Sequence, residues 1–409
     1  MRRLPIAGPL AALVLVTTVM AGTAVADYGP LLTIERLTDS TPVVVRGRVH
    51  SVDSGWDMPA ATIYTYVVIE IDEVLRGSVP HERIVIKQLG GVVGDVGLSV
   101  GGQPGFTPGE NVLVFLQVRP RDNTLQTANF WQGKWSIEPR SQGNVAIRHA
   151  GRDGDGVEVA YREIDLAALE GRIRARQSTF RRSADGTIVF HPEETPTPVN
   201  TVDAANPVYR IPLLGFHWRE AFSGGTIPYN FHKQKHARAG SGKKQLQKSW
   251  QAWNGVAKAI AWATKGKKIK TPAPGMSQRP GDASVMLQNG DPLEELPDAS
   301  TTLAAGGAWF FTGPLIRKLG PAFSGFIVIQ DSASAEQFMA NKTCYETVVK
   351  HEDGHAGGLG HSNQGSALMF PSVNQAECNG GKPLGKDDNK FWGKKLYNKK
   401  HARAAADRR

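Results

Sequence analysis

Five fixed positions within residues 351–361 carry the clearest chemistry in the chain: His351, Glu352, His355, Gly358 and His361. His351 and His355 are four residues apart, so on a helix their imidazoles lie on one face, one turn above the other, and can share a metal ion. His361 is six residues further on. On a continued helix it would point roughly 240° around the axis from His355 and could not reach that ion. The chain must therefore leave the helix first, and Gly357, Gly358 and Gly360 permit this. Gly358 is read as the helix-ending glycine, because glycine adopts the left-handed conformation without a Cβ clash. Three neutral imidazoles leave one tetrahedral position open for water, as in catalytic rather than structural zinc sites. Glu352, next to a ligand, is placed to take a proton from that water, and a Lewis-acid metal with an adjacent base suits amide hydrolysis. Histidines on an ordinary helix surface are the plain alternative. Five positions matched at fixed spacing argue against it.

The elements that must hold these residues are legible around them. Thr343 to Lys350 can be helical, with Val348 and Val349 facing a core. Phe326-Ile327-Val328-Ile329 has the composition of a buried strand, and Thr226 to Phe231 of a first strand. Gln245 to Ala263 has helical spacing, with Trp250 and Trp253 as core residues. Cys344 and Cys378, the two cysteines of the chain, bracket the histidines. In an exported chain they are expected to form a disulfide. Two free buried thiols and thiol ligation of a metal are the alternatives, the last disfavoured because three histidines already suffice.

With these residues in view, the motif resembles that of the metzincin zinc endopeptidases. The form His-Glu-x-Gly-His-x-x-Gly-Leu-x-His, followed by Ser366-Ala367-Leu368-Met369-Phe370-Pro371, is similar to the matrixins in particular. The resemblance implies that Met369 is the Met-turn residue beneath the metal and that Leu384 to Tyr397, opening with Asp387 and Asp388, is a C-terminal helix. It also implies one catalytic zinc ion, a protein or peptide substrate, and a cleft that binds substrate as an added strand. Ala308-Trp309-Phe310-Phe311 is either part of that edge or a core strand. The resemblance spans about residues 210–397, with its specific motifs confined to 351–371.

The chain also departs from the pattern. Asp353 stands at a usually apolar position and Gly357 replaces a common leucine, both expected to weaken helix packing. Phe370 lacks the hydroxyl of a tyrosine ligand. No histidine lies between His236 and His351, so the second, structural zinc of animal matrixins is expected to be absent. The only cysteines are Cys344 and Cys378, so the cysteine-switch motif is absent too. These departures point to a bacterial, exported relative.

The whole chain has 409 residues, a net charge of +10, 40% hydrophobic and 21% charged residues, which excludes a wholly disordered protein. Residues 1–26 read as a signal peptide: Arg2 and Arg3, an apolar run from Leu10 to Met20, then Ala24-Val25-Ala26. The mature chain has no transmembrane run and is expected to be secreted or periplasmic. Residues 27–160 read as an N-terminal all-β domain, a small barrel or sandwich of short strands separated by turns. The glycine-rich stretch Gly90 to Gly105 reads as loop, without phosphate-loop spacing. Residues 161–206 read as a helix, Asp165 to Ser183, and a Pro/Thr linker. Residues 207–398 form the matrixin-like domain and 399–409 a basic tail. The fold class is thus α+β, with the zinc-binding helix and a mixed sheet in the second domain.

Charge supports this division. Residues 1–205 carry 20 basic and 23 acidic side chains, and residues 206–409 carry 28 and 15, with arginine dominating the first half and lysine the second. The basic knot at Gly266–Lys270 has no aromatic interleaving, so no nucleic-acid partner is expected. Asp282, Asp291, Asp298 and Asp331 form no ligand pattern and leave calcium open; oligomeric state is open too. Two other functions fit the sequence: a zinc-binding module without proteolytic activity, and an adhesion or polymer-binding protein.

Overall fold

Residues 43–57 and 62–76 alternate β-branched and aromatic side chains with polar ones. In the computed structural model they form two long antiparallel strands, β1 (Val43–Asp57) and β2 (Thr62–Arg76), in register from Val44↔Arg76 to Asp57↔Thr62. The structure describes residues 31–177 and 214–397, apart from short stretches at 58–60, 80, 120, 153–157, 215, 219–225, 237–238, 257–260, 263–266, 270–274, 278–283, 297–301 and 313–318. The expected signal peptide, the linker and the basic tail lie outside the described residues.

After β2 come β3 (Arg83–Leu89), β4 (Gly91–Val93), β5 (Val96–Val100), β6 (Asn111–Val118) and β7 (Leu125–Thr127). Strands pair in the order β1-β2-β3-β7-β6, and β6 pairs back onto β1, closing a ring of five. The β3–β7 pairing is parallel, at Ile86↔Leu125. A meander of β8 (Lys134–Arg140), β9 (Gly143–Arg152) and β10 (Glu158–Asp165) extends from β6. The alternation places Val67, Ile69, Ile84, Ile86, Val112 and Val114 in one apolar cluster inside the ring. The intervening Leu113 and Phe115 face outward. They pack with Ile34 and Leu37 of α1 (Ile34–Ser40) and Leu169 and Ile173 of α2 (Leu166–Gln177).

The second half supplies β11 (Phe216–Trp218), β12 (Thr226–Ile227), β13 (Tyr229–His232), α3 (Lys243–Val256), β14 (Ala261–Trp262), β15 (Lys267–Ile269), β16 (Val285–Asn289), β17 (Ala304–Phe311) and β18 (Gly320–Ile329). Helices α4 (Ala333–Phe338), α5 (Lys342–Ala356), α6 (Gln375–Gly380) and α7 (Lys386–Lys390) follow. Strands β15, β13, β16 and β18 run parallel, and β17 lies antiparallel beside β18. The chain thus combines helices with mixed sheets, an α+β architecture. Helices α3 and α5 pack on this sheet through Leu246, Trp250, Trp253, Val348 and Val349. No helix among the described residues is long and apolar enough to cross a membrane.

Three local expectations change. The helix read over Gln245–Ala263 is described over Lys243–Val256 and does not reach Ala263, because Ala261–Trp262 is a short strand paired with β12. The C-terminal helix is broken into α7 and a wider π turn at Phe391–Leu396. The stretch Gly90–Gly105 is not all loop, because it contains β4 and β5. This hairpin leaves the first half and joins the second sheet, β5 pairing antiparallel with β17. Its glycines serve the exit and the turn: Gly90 and Gly91 have φ +107° and +132°, and Gly94 has φ +62°. The pairing partner lies some two hundred residues downstream, so no local pattern announces it.

Candidate metal centre

Helix α5 starts at Asn341, whose side chain accepts from the Thr343 N–H at 2.8 Å. A disulfide between Cys344 and Cys378 ties its first turn to α6. The helix then buries nearly all of its residues up to Ala356. Trp253 and Trp218 donate their indole N–H groups to the carbonyls of Lys350 and Ala356, at 3.0 and 2.7 Å.

The helix ends where Gly358 turns to φ +108°. The Gly358 N–H donates to His355 O and the Leu359 N–H to Gly354 O, both at 2.9 Å. A Cβ on Gly358 would also stand 2.5 Å from Phe216 O. Only glycine meets both demands. The exit carries His361 back toward the helix, where its Nε2 lies 3.1 Å from that of His355; the His351 and His355 Nε2 atoms are 3.0 Å apart.

Each of the two helical rings has its other nitrogen engaged. His351 Nδ1 lies 2.8 Å from Leu368 O and His355 Nδ1 2.7 Å from Leu359 O. A carbonyl can only accept, so Nδ1 carries the proton and the Nε2 lone pair faces the centre. Burial, with the neighbouring imidazoles, holds His351 well below its ordinary pKa, and burial brings His355 down to about 4. Both are therefore neutral near pH 7. Neutral lone pairs facing one another at this distance repel unless a cation lies between them. A tetrahedral zinc ion with Zn–N near 2.0–2.1 Å would set the nitrogens about 3.3 Å apart. The donor set fits zinc, and these three histidines are the only potential metal cluster among the described residues. The centre is closed to solvent: His351, Glu352 and His355 are 0% exposed and His361 is 1% exposed.

Met369 lies beneath, its sulfur against Gly354, where a Cβ would be 2.3 Å from Sδ. The turn carrying it is pinned by Asp388, whose carboxylate accepts N–H groups from Leu368, Met369 and Gly385 at 2.6, 3.0 and 2.6 Å. That anchoring by Asp388 was not legible in the sequence.

Two suspected weaknesses of α5 are packed features instead. A Cβ at Gly357 would stand 2.2 Å from the Trp392 ring, so the missing leucine leaves room for a tryptophan. Asp353 is fully buried, and its two oxygens meet the hydroxyls of Tyr229 on β13 and Ser249 on α3. Burial raises its carboxyl well above the usual range. It therefore joins three elements behind the centre without a bare charge. A polar residue at an apolar position was the only sequence signal for this.

Of the four carboxylates weighed for calcium, the two described ones each accept N–H groups within the chain. Asp291 accepts the Leu296 N–H at 2.7 Å, and Asp331 accepts from Gln234 and from the Asp291 N–H. Asp282 and Asp298 lie outside the described residues.

Three converging histidines, two on one helix and the third beyond its glycine exit, with a methionine turn beneath them, are the arrangement of a metzincin. Residues 262–398 match the family model of the matrixins, and this part of the chain is matrixin-like. The match starts at Trp262, so β13 and α3, which complete the sheet and hold Asp353, lie before it. No curated protein sequence matches the chain.

Proposed function

We propose that the protein is a secreted zinc endopeptidase, exported by a signal peptide at residues 1–26, with an N-terminal β domain and a matrixin-like catalytic domain. The observation that carries this reading is the convergence of three buried imidazoles, the two helical ones with their tautomers set by backbone carbonyls, beside Glu352 on the same helix. His351, His355 and His361 would hold the ion. Zinc bound there supplies Lewis acidity to a water molecule and to the scissile carbonyl. The carbonyls of Leu368 and Leu359 keep each helical ring oriented. The Glu352 carboxylate accepts the proton of the attacking water and returns it to the leaving amine nitrogen. The side of strand β17 away from β18, where β5 now pairs, is the one an extended peptide would use as an added strand. The disulfide fits an oxidising compartment outside the cytosol.

Residues 27–409 should bind one zinc ion per chain, lost in His355→Ala. Cleavage of denatured casein should be abolished by chelator and fall by at least about a thousandfold in Glu352→Ala. Equal, non-zero rates for the wild type and Glu352→Ala would refute the mechanism.

A further inference from the structure

The side of β17 that an extended peptide would need is already taken by the chain itself. Strand β5 lies antiparallel along it, in register from Gly307↔Val100 to Phe311↔Val96. The ladder continues past both ends of β5. The Gly101 N–H donates to Gly306 O and the Thr312 N–H to Asp95 O, both at 2.8 Å. Antiparallel pairs alternate, so these two bonds assign Ser99–Ala308 and Gly97–Phe310 as the hydrogen-bonded pairs between them.

The fit is close enough to exclude larger residues. A Cβ on Gly307 would lie 2.1 Å from Ser99 O, and one on Gly97 would lie 2.4 Å from the Phe310 ring. The Gly101 end is the one at the metal centre, because Gly306 packs on the Glu352 backbone, where a Cβ would meet Glu352 O at 2.4 Å. Beyond it, Gly102 O accepts the Trp131 N–H at 2.9 Å, and the Trp131 indole stands edge-on to His361 with ring centroids 6.3 Å apart. Leu98, Val100 and Trp131 share one apolar cluster with Ala305, Trp309 and Phe326 of the second half. Among the described residues the first half contributes a strand and a roof to the centre, but no metal ligand.

We propose that the β4–β5 hairpin and the turn bearing Trp131 form an inhibitory segment that keeps the peptidase latent by filling the substrate edge of β17 and covering the metal centre. This rests on the peptidase reading above. An intramolecular strand competes at an effective concentration on the order of millimolar, so dilute substrate cannot displace it. Activation then requires that the hairpin be lifted, and nothing at the centre need change.

The test uses the zinc-loaded chain from Asp27 to Arg409. Ser99→Pro removes an N–H from the ladder, and Leu98→Asp removes an apolar anchor, so two independent changes weaken the same contact. Ser99→Ala keeps the ladder. Both disruptive variants should cleave denatured casein at least about tenfold faster than wild type and surrender zinc to EDTA at least about tenfold faster, while Ser99→Ala does neither. Hydrogen exchange should show the amides of residues 95–101 and 304–311 exposed in the same two variants. Exposed amides with unchanged cleavage and unchanged zinc release would overturn the proposal. Faster zinc release with no cleavage by any variant would instead refute the peptidase reading, and the inhibitory role with it.

Discussion

The ring of strands in the first half and helix α5 in the second bury opposite kinds of group. The ring interior is hydrocarbon, with Val67, Ile69, Ile86 and Val114 all at 0% exposure. Charges that meet α1 and α2 are paired: Arg172 grips Glu35 through two nitrogens at 2.6 and 2.8 Å, Arg176 grips Asp39, and Arg46 reaches Glu170 at 2.6 Å. Arginine suits such two-pronged pairing better than lysine, which gives the arginine bias of this half a structural use. Helix α5 instead places two histidines, a glutamate and an aspartate at 0% exposure. Hydrocarbon contacts are non-directional and tolerate small changes. Buried polar contacts are directional, and losing one partner strands the other.

The sharpest way to break this comparison is to make α5 resemble the ring. Asp353→Leu leaves the buried Tyr229 and Ser249 hydroxyls without their acceptor and should cost about 4 kcal/mol in urea unfolding. Ile86→Val in the ring should cost only about 1 kcal/mol. Asp353→Asn, which keeps an acceptor and a donor, should fall between them. If the leucine variant is no less stable than Ile86→Val, the contrast does not hold. Next in size is the disulfide. Replacing Cys344 and Cys378 by serine frees the first turn of α5 from α6 and reopens a loop of sequence separation 34, at a cost of about 3 kcal/mol. A reducing agent should lower the melting temperature of the wild type and leave the double variant unchanged.

What could be read from sequence follows the range of each interaction. The histidine spacing is helical arithmetic, and the glycine exit is a local backbone requirement, so both were visible within eleven residues. Strands such as β1, β2 and β18 announced themselves by composition. The partners of Asp353 lie 124 and 104 residues away, and those of β5 some two hundred. Nothing in a local window distinguishes a buried aspartate with two hydroxyl partners from a helix defect, or a glycine-rich strand from a loop. The same limit applies at Gly357, where the filling group is Trp392.

The smallest effects divide the halves by the sign of their pH dependence. In the second half, burial, aided by the charges of Glu295 and Asp331, lifts the Asp291 carboxyl to about 7 against the backbone N–H groups that lower it. Between about pH 4 and 7 the folded state holds this proton and the unfolded state does not, so stability falls as pH rises through that window and levels off above it. Asp291→Asn keeps the acceptor for the Leu296 N–H and should gain about 2 kcal/mol over wild type at pH 8 relative to pH 4. Part of the slope will remain, because burial raises Glu295 in the same direction. In the first half, partial burial of Asp122 is outweighed by hydrogen bonds from Lys87 and Thr124, and its carboxyl falls to about 2. Here the unfolded state binds the proton first, so the stabilisation is complete above about pH 4 and lost as pH falls toward 2. The pair is partly exposed, so Asp122→Asn should cost well under about 1 kcal/mol at pH 7 and nothing at pH 2. As pH rises across 2–8, the melting temperatures of the two variants should therefore part from wild type in opposite directions, Asp291→Asn upward and Asp122→Asn downward. A shift in the same direction would mean that the two carboxyls do not differ in the way their surroundings require.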